Sequence, residues 1–186
     1  MDLTNKKELI WGRVSNLGPL SIVLPPSSDD HQVALALISE LQTEMQQAHF
    51  VAVAIPCDHF TTILDFWKAL TTSVWEALCP AMQPEVRDVM EPKYQRIAKR
   101  QRTIDLFNGL LHFLKHVREK QGLKVVLILE KFAALVDLQD ESDAMKIRHL
   151  TDELALLTLS EKPLVELADK YKSEYFCNQF MTVQAT

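Results

Sequence analysis

The stretch Ser21–Glu40, SIVLPPSSDDHQVALALISE, decides how the chain is expected to fold. It begins with a short segment that is mostly apolar and ends at Leu24, continues through a polar loop, and then carries apolar residues at helical spacing. Those apolar residues are Val33, Leu35, Ala36, Leu37, Ile38 and Leu41. The pattern predicts a strand at Ser21–Leu24, a tight loop, and a helix over Gln32–Leu41.

The loop after Leu24 departs from the sequence that such a unit usually carries. A strand, a loop and a helix in this order are typical of the start of a nucleotide-binding α/β domain, where the loop follows G-x-x-x-x-G-K-[ST] and holds phosphate. The residues at these positions are Pro25, Pro26, Ser27, Ser28, Asp29, Asp30, His31 and Gln32. Both glycines, the lysine and the hydroxyl residue are missing. The sequence therefore predicts the frame of a phosphate-binding fold without its ligand chemistry.

Four further segments have the composition of buried strands: His49–Ile55, Lys124–Glu130, Leu154–Ser160 and Phe180–Gln184. Near-continuous apolar runs are typical of strands that are covered on both faces in a parallel sheet. The fold class predicted from them is α/β, a three-layer α/β/α sandwich with a five-stranded parallel sheet. Numbered along the chain, the expected strand order is 5-1-4-3-2, which places the first strand beside the fourth.

Helices are expected between these strands. Two amphipathic segments, Thr61–Leu78 and Thr103–Gln121, have apolar stripes wide enough to cover a sheet, and Gly122 lies where a left-handed cap would end the second. The charged segment Glu85–Arg102 is predicted to be a helical connection outside the core. A short helix that begins near a proline is predicted over Pro163–Tyr171.

Three parts of the chain together resemble the P-loop ATPases of the AAA+/STAND type, including the archaeal ATPase-like group. The first is the loop after Leu24, at the place of a Walker A motif. The second is Val125–Phe132, VVLILEKF, which is similar to a Walker B strand. The third is Leu154–Leu167, which is similar to a sensor strand with its following helix. Residues 1–18, which end at Gly18 just before Pro19, are expected to be a polar lead-in. The resemblance implies a single P-loop NTPase-like domain over residues 19–186.

The functional residues that this resemblance implies have changed. Glu130 replaces the aspartate that would position magnesium, and Lys131 replaces the glutamate that would polarise the attacking water. A cation cannot act as a general base in that reaction. Ser160 stands at the end of the sensor strand. The degenerate nucleotide site, which we expect to be non-functional, consists of Pro25, Ser27, Ser28, Asp30, His31, Gln32, Glu130, Lys131 and Ser160.

Each change in the loop has a physical consequence for phosphate binding. Proline has no N–H, so Pro25 and Pro26 remove two donors. Asp29 and Asp30 would repel a polyphosphate, at a cost on the order of 4 kcal/mol for each contact at about 4 Å. His31 is mostly neutral at pH 7. The Ser27–Asp30 run is instead expected to cap the following helix, so that the protein itself fills the anion site.

Composition limits the remaining classes of function. The formal charge of −5 gives no electrostatic reason to expect nucleic acid or an anionic membrane as partner. The three cysteines are widely spaced, as expected of reduced thiols in a cytoplasmic protein. There is neither a signal-peptide pattern nor an apolar run of membrane-spanning length. No cofactor and no metal ligand set is predicted.

Three other groups of residues each allow a structural interpretation as well as a functional one. Cys57, Asp58 and His59 could form a nucleophilic pair, but Asp58 capping the next helix with Cys57 packed behind it is favoured. His112 and His116 are spaced i, i+4, and a solvated helix face is favoured over a metal site. The basic run Lys93–Arg102 fits an exposed helix face best, a protein partner next and nucleic acid least. The stripe from Phe66 to Trp75 is expected in the core.

The function predicted from the sequence is a catalytically inactive P-loop NTPase-like domain that acts as a protein-binding or regulatory module. The expected partner is a protein, either a second copy of the chain or an active relative. The alternative is an atypical nucleotide-binding protein or weak NTPase that uses non-standard phosphate-binding residues. Whether the protein is an enzyme is left open, with the balance against it.

Overall fold

The computed structural model of the chain describes residues 6–26, 28–167 and 180–185. Five parallel strands form one sheet in the order β2-β3-β4-β1-β5. The strands are β1 (Leu20–Val23), β2 (Phe50–Pro56), β3 (Lys124–Glu130), β4 (Ala155–Ser160) and β5 (Met181–Gln184). The predicted parallel sheet and its order 5-1-4-3-2 are confirmed, and each predicted strand is present within one residue at either end.

Nine helices are described along the chain. They are α1 (Lys7–Ser15), α2 (Asp30–Glu40), α3 (Gln42–Gln47), α4 (Ile63–Leu78), α5 (Pro84–Ala98), α6 (Thr103–Gln121), α7 (Phe132–Leu138), α8 (Glu141–Leu150) and α9 (Leu164–Leu167). Two single turns, Cys57–His59 and Cys79–Ala81, precede α4 and α5. As predicted, Gly122 ends α6 in the left-handed conformation, and its N–H donates to Arg118 O at 2.9 Å.

Helices cover both faces of the sheet, as the predicted three-layer sandwich requires. On one face, residues of α1, α2 and α3 pack on β1 and β4 in one apolar cluster. On the other face, residues of α4, α5, α6, α7 and α8 form a larger cluster with β2, β3 and β4. Ile10 and Val14 of α1 are buried, so part of the lead-in packs on the sheet. The domain boundary at residue 19 stays a prediction.

The aromatic stripe of α4 lies in the core, as predicted. Phe66 and Trp67 are fully buried, and Trp75 is nearly so. The prediction that the segment Glu85–Arg102 lies outside the core is wrong in part. Met90 of α5 is buried, and Tyr94 stacks on Trp75 with ring centroids 4.6 Å apart. An amphipathic face on α5 therefore extends the core, while most of its charged residues stay exposed.

Two helices that the sequence did not predict connect β3 to β4. Phe132 is buried in α7, which has only seven residues, and Ile147 is buried in α8, where most residues are polar. The predicted helix Pro163–Tyr171 is present as α9, and its part beyond Leu167 lies outside the described residues. In the described ranges, no helix has the length and apolar character needed to cross a membrane.

Candidate functional site

The carboxyl edge of the sheet brings together the chain segments that follow the strands. Because all strands are parallel, the loop after β1, the turn after β2 and the residues after β3 and β4 meet at this edge. In open α/β sheets, this edge is where ligands usually bind. The predicted site residues lie here, apart from Ser27, which lies outside the described residues.

The loop after β1 is closed by its own side chain. Asp29 has extended backbone angles and is the N-cap of α2. Its Oδ1 accepts hydrogen bonds from the N–H groups of His31, at 3.0 Å, and Gln32, at 3.2 Å. Ser28 N–H donates to Pro25 O at 3.1 Å. The first free N–H groups of α2, which could have faced an anion, are therefore bonded to a carboxylate of the same loop.

Asp30 is not part of this cap, although the predicted capping run includes it. Its side chain is only 5% exposed, and its Oδ2 accepts a hydrogen bond from Lys131 N–H at 2.8 Å. Burial raises the pKa of the Asp30 carboxyl, and the bond from the Lys131 backbone works in the opposite direction. This contact joins the start of α2 to the end of β3, 101 residues later.

A second contact joins the same two segments. His31 Nδ1 lies 3.1 Å from Glu130 Oε1. Glu130 is 2% exposed, whereas the His31 side chain is largely exposed. Gln32, beside them in α2, is exposed. The buried carboxylate of Glu130 is thus in contact with His31, which occupies the lysine position of the Walker A pattern.

Lys131 lies just beyond β3 and does not continue the strand. Its φ is 49°, in the left-handed region that is uncommon for residues other than glycine. The stretch Val125–Phe132 that resembles a Walker B strand is therefore not extended throughout, because β3 ends at Glu130 and Lys131 turns away from it. From that turn, Lys131 Nζ donates to Asp58 Oδ2 at 2.6 Å. We call Asp30, His31, Asp58, Glu130 and Lys131 the edge cluster.

The Lys131–Asp58 ion pair shifts the pKa of both of its members. The hydrogen bond from Lys131 lowers the pKa of Asp58, and the same bond raises the pKa of Lys131. Asp58 was expected to cap α4, and this expectation is wrong. Thr62 is the N-cap, and its hydroxyl accepts from Asp65 N–H at 3.2 Å. A single turn, Cys57–His59, separates Asp58 from the helix and directs it towards Lys131.

Replacing Lys131 with methionine should change how stability depends on pH. Because the pKa of Asp58 is lower in the folded state, the ion pair stabilises the fold above the ordinary carboxyl pKa of about 3.9 and is lost as pH falls through the folded value. We expect the wild type to unfold at higher urea concentration than Lys131→Met at pH 7, and the two midpoints to converge near pH 2–3.

The matched control for this variant is Lys162→Met, which removes the other lysine that lines the cavity at this edge. Because the pKa of Asp30 is raised in the folded state, the contribution of Asp30 to stability falls as pH rises, which is the opposite of the Asp58 contribution. The hydrogen bond that Asp30 accepts from the backbone N–H of residue 131 remains in both variants. Lys162→Met should show no gap that closes on acidification. A gap for Lys131→Met that stays constant from pH 7 to pH 2 would contradict the assignment.

A cavity of about 520 Å³ opens at the edge cluster. Its volume is within the range of small-molecule sites. The lining residues include five acids and two lysines together with apolar residues of α7 and Ser28 and Ser160. They are Ser28, Asp30, Asp58, Lys131, Ala133, Ala134, Val136, Asp137, Ser160, Glu161, Lys162, Glu166 and Leu167. Negative charge is in excess, and one of the two lysines is held by Asp58.

Ser160 lines the cavity, but its hydroxyl is already used. Ser160 Oγ donates to Lys162 O at 2.6 Å, which stabilises the turn after β4. Pro25 and Pro26 are exposed at the start of the loop and do not line the cavity. Three acids that line the cavity were not among the predicted site residues. They are Asp137 in α7, Glu161 in the turn after β4 and Glu166 in α9. Their sequence positions directly after β3 and β4 were the signal that could have placed them at this edge.

The thiol of Cys57 is packed in the interior, as the favoured alternative predicted. Its side chain is fully buried, and Sγ donates to Ile55 O at 3.7 Å. Burial, with smaller contributions from Glu130 and Asp58, raises the pKa of this thiol far above its usual value. A thiolate nucleophile is therefore disfavoured at this position.

The remaining candidate residues lie on exposed helix faces. His112 is exposed on α6 and His116 is half-buried there. Across the described ranges, no group of three or more His, Cys, Asp or Glu side chains could hold a metal ion. The basic residues of the run from Lys93 to Arg102 are exposed on α5 and in its connection to α6.

The fold is similar to that of solved proteins at low sequence identity. No protein-family profile and no curated protein matches the chain. The ORC2 protein of Aeropyrum pernix, in ADPNP–ADP complexes, matches over 98% of this chain and 48% of its own, with a TM-score of 0.66 and 7% identity. The ORC1 protein of Aeropyrum pernix in complex with DNA matches over 95% of this chain and 44% of its own, with a TM-score of 0.61 and 11% identity.

A third similar structure is Drosophila ORC bound to AT-rich DNA and Cdc6. It matches over 97% of this chain and 54% of its own, with a TM-score of 0.60 and 10% identity. The chain thus spans about half the length of these proteins. Together with the confirmed strand order, the likeness shows that the chain has a P-loop NTPase-like α/β fold.

Proposed function

We propose that the chain is a catalytically inactive P-loop NTPase-like domain that acts as a protein-binding or regulatory module. The observation that carries this proposal is the bonding of the edge cluster. The loop after β1 and the end of β3 are joined by Asp30 to Lys131 N–H at 2.8 Å and by His31 to Glu130 at 3.1 Å. In a working site, these two segments would face phosphate and magnesium instead of each other.

The loop has few groups left with which to hold a phosphate. Pro25 and Pro26 have no N–H, and the N–H groups of His31 and Gln32 are bonded to Asp29. The carboxylates around the cavity oppose a polyphosphate, at a cost on the order of 4 kcal/mol for each contact at about 4 Å. In this proposal the loop after β1 is a degenerate Walker A motif that stabilises the fold and does not bind phosphate.

The groups needed for hydrolysis are also replaced or occupied. Lys131 stands where a carboxylate would polarise the attacking water, and it donates to Asp58. Glu130 stands where an aspartate would position magnesium, but it is buried beside His31. Neither residue can take the corresponding role in phosphoryl transfer without breaking these contacts.

The cavity gives support to one alternative. Its position at the carboxyl edge and its volume of about 520 Å³ suit a nucleotide, and Lys131, Lys162 and Ser160 line it. An atypical nucleotide-binding protein or weak NTPase would use these residues in place of the standard loop. The excess of acids around the same cavity favours the inactive domain.

Binding to protein is the activity that we propose for the domain. The structure of Drosophila ORC, which has a similar fold, contains Cdc6 as well as DNA, and this supports assembly with other proteins as a use of the fold. The overall charge of −5 supports a protein partner over nucleic acid.

A phosphate-release assay tests the catalytic part of the proposal. With ATP or GTP and magnesium, we expect release no faster than in the protein-free blank, for the wild type and for Lys131→Ala alike. Lys131→Ala serves as the matched variant because it removes the cation from the water-polarising position. Magnesium-dependent release by the wild type that Lys131→Ala abolishes would support the alternative and contradict the proposal.

A further inference from the structure

Four surface cations that lie close together in sequence have no ion-pair partner among the described residues. They are Lys93 and Arg96 in the second half of α5, and Lys99 and Arg100 in its connection to α6, and all four are exposed. We call these four residues the basic connection. Arg102, which follows them, differs because Asp105 holds it with two hydrogen bonds, at 2.9 and 3.0 Å. On a chain of net charge −5, four unpaired cations in eight residues form a local patch of opposite sign.

The basic connection lies at the carboxyl edge of the sheet. The start of α4 is at this edge, because it follows the end of β2, and Lys68 in its second turn donates to Gln101 Oε1 at 2.9 Å. Lys146, in the middle of α8, lies 3.4 Å from Thr103 Oγ1 at the start of α6. The contact from Lys68 places the connection between α5 and α6 beside the first two turns of α4, on the edge where the cavity opens.

The cavity on the same edge has the complementary charge and shape. Five carboxylates against two lysines line it, and Glu161 and Glu166 are exposed. Asp30, 95% buried, uses Oδ2 for Lys131, and no hydrogen bond to its Oδ1 is seen in the part of the chain that the structure describes. Ala133 and Ala134 add apolar surface. Apolar walls with carboxylates suit the long stem and charged head of lysine or arginine.

We propose that the carboxyl edge is a self-complementary docking surface on which a second copy of the chain binds. The basic connection of each copy enters the acidic cavity of the other, so the interface has two-fold symmetry and each contact occurs twice. The argument for a second copy, over an unrelated basic protein, is that one edge carries both charges. The inference rests on the proposed function, since a bound nucleotide would fill the cavity.

Sedimentation equilibrium of the whole 186-residue chain tests the proposal. We expect a dimer at 50 mM salt that weakens at 500 mM salt, where exposed charges are screened. The variant Arg96→Glu/Arg100→Glu and the variant Glu161→Lys/Glu166→Lys should each raise the dimer dissociation constant at least about ten-fold, because each creates like-charge contacts twice. The matched control is Arg87→Glu/Lys120→Glu, which makes the same charge change near the opposite edge and should leave the constant unchanged.

Mixing the two edge variants provides the decisive measurement. In a mixed dimer, the two glutamates introduced into the connection of one variant face the two lysines introduced into the cavity of the other, and the remaining connection and cavity are those of the wild type. We therefore expect the two variants to form mixed dimers about as tightly as the wild type dimerises. A mixture of Glu161→Lys/Glu166→Lys with the control variant, which has the same net charge as Arg96→Glu/Arg100→Glu, should contain dimers of the control variant but few mixed dimers.

Three results would overturn the proposal: a wild-type chain that stays monomeric at both salt concentrations, edge variants that dimerise like the wild type, or a control mixture that forms mixed dimers as readily as the complementary mixture does. All substituted side chains are exposed or half-buried, so each variant is expected to fold. Circular dichroism of each variant checks this. Nucleotide binding is measured separately. A chain that dimerises without nucleotide and also binds ATP would contradict the proposed function, and the docking surface would then belong to the nucleotide-free chain alone.

Discussion

The variant Asp30→Gly/His31→Lys/Gln32→Thr, which restores three positions of the phosphate-binding pattern, is expected to be less stable and to remain inactive. Glycine at residue 30 removes the acceptor for Lys131 N–H, and leaving such a partly buried donor unbonded costs about 1–3 kcal/mol. Glycine in a helix adds about 0.5–1 kcal/mol relative to alanine. The total loss of about 1.5–4 kcal/mol should lower the melting temperature by roughly 2–4 °C per kcal/mol.

Two controls separate the parts of this effect. His31→Lys/Gln32→Thr keeps Asp30 and can still pair residue 31 with Glu130, so its melting temperature should change little. Asp29→Ala removes the cap of α2 and should cost about 0.5–2 kcal/mol without affecting the Asp30 contact. An unchanged melting temperature for the triple variant would contradict the structural role of Asp30. Hydrolysis by that variant would contradict the claim that Lys131 and the prolines prevent it.

Trp67→Ala should produce the largest loss of stability. Trp67 is fully buried on α4, with its ring 5.6 Å from that of Phe66 and 5.8 Å from that of Phe107. Replacing a buried aromatic residue with alanine typically costs about 3–5 kcal/mol, because apolar burial is lost and a cavity remains. That is a large share of the roughly 5–15 kcal/mol by which domains are stable. Urea unfolding followed by circular dichroism measures it.

Trp11→Ala is the matched control for this variant. Trp11 is half-buried on α1 and meets Phe50 with ring centroids 5.7 Å apart, so its removal should cost clearly less. Trp67→Phe should also cost less than Trp67→Ala, because it keeps an aromatic ring and removes an indole N–H that has no partner in the described structure. Equal losses for Trp11→Ala and Trp67→Ala would contradict the placement of α4 in the core.

The strands and their order could be predicted because a parallel sheet leaves a strong local signal. Strands buried on both faces, such as Lys124–Glu130, are continuous apolar runs, and helical crossovers restrict how they can be arranged. The amphipathic helices α4 and α6 were predicted for the same reason. The helix α7 was missed because its seven residues contain too few turns for a clear helical period.

The contacts of the edge cluster could not be predicted, because they join residues that are distant in sequence. Asp58 follows β2 and was expected to cap the next helix, a local interaction that sequence patterns describe well. Its partner Lys131 is 73 residues away, and the two meet because β2 and β3 are neighbours in the sheet. Likewise, Asp30 was predicted to be part of the cap that Asp29 forms. Its actual partner, Lys131 N–H, could not be predicted because that bond depends on the left-handed turn after β3.

Calorimetric titration of the wild-type chain with ATP or GTP and magnesium tests the central claim most directly, namely that the protein's own side chains occupy the phosphate site. The account predicts no saturable heat at micromolar to submillimolar nucleotide, since the loop N–H groups are bonded to Asp29 and the cavity carries excess acid. The variant Lys131→Ala should give the same result. Saturable binding with a micromolar dissociation constant, weakened by Lys131→Ala, would contradict the account.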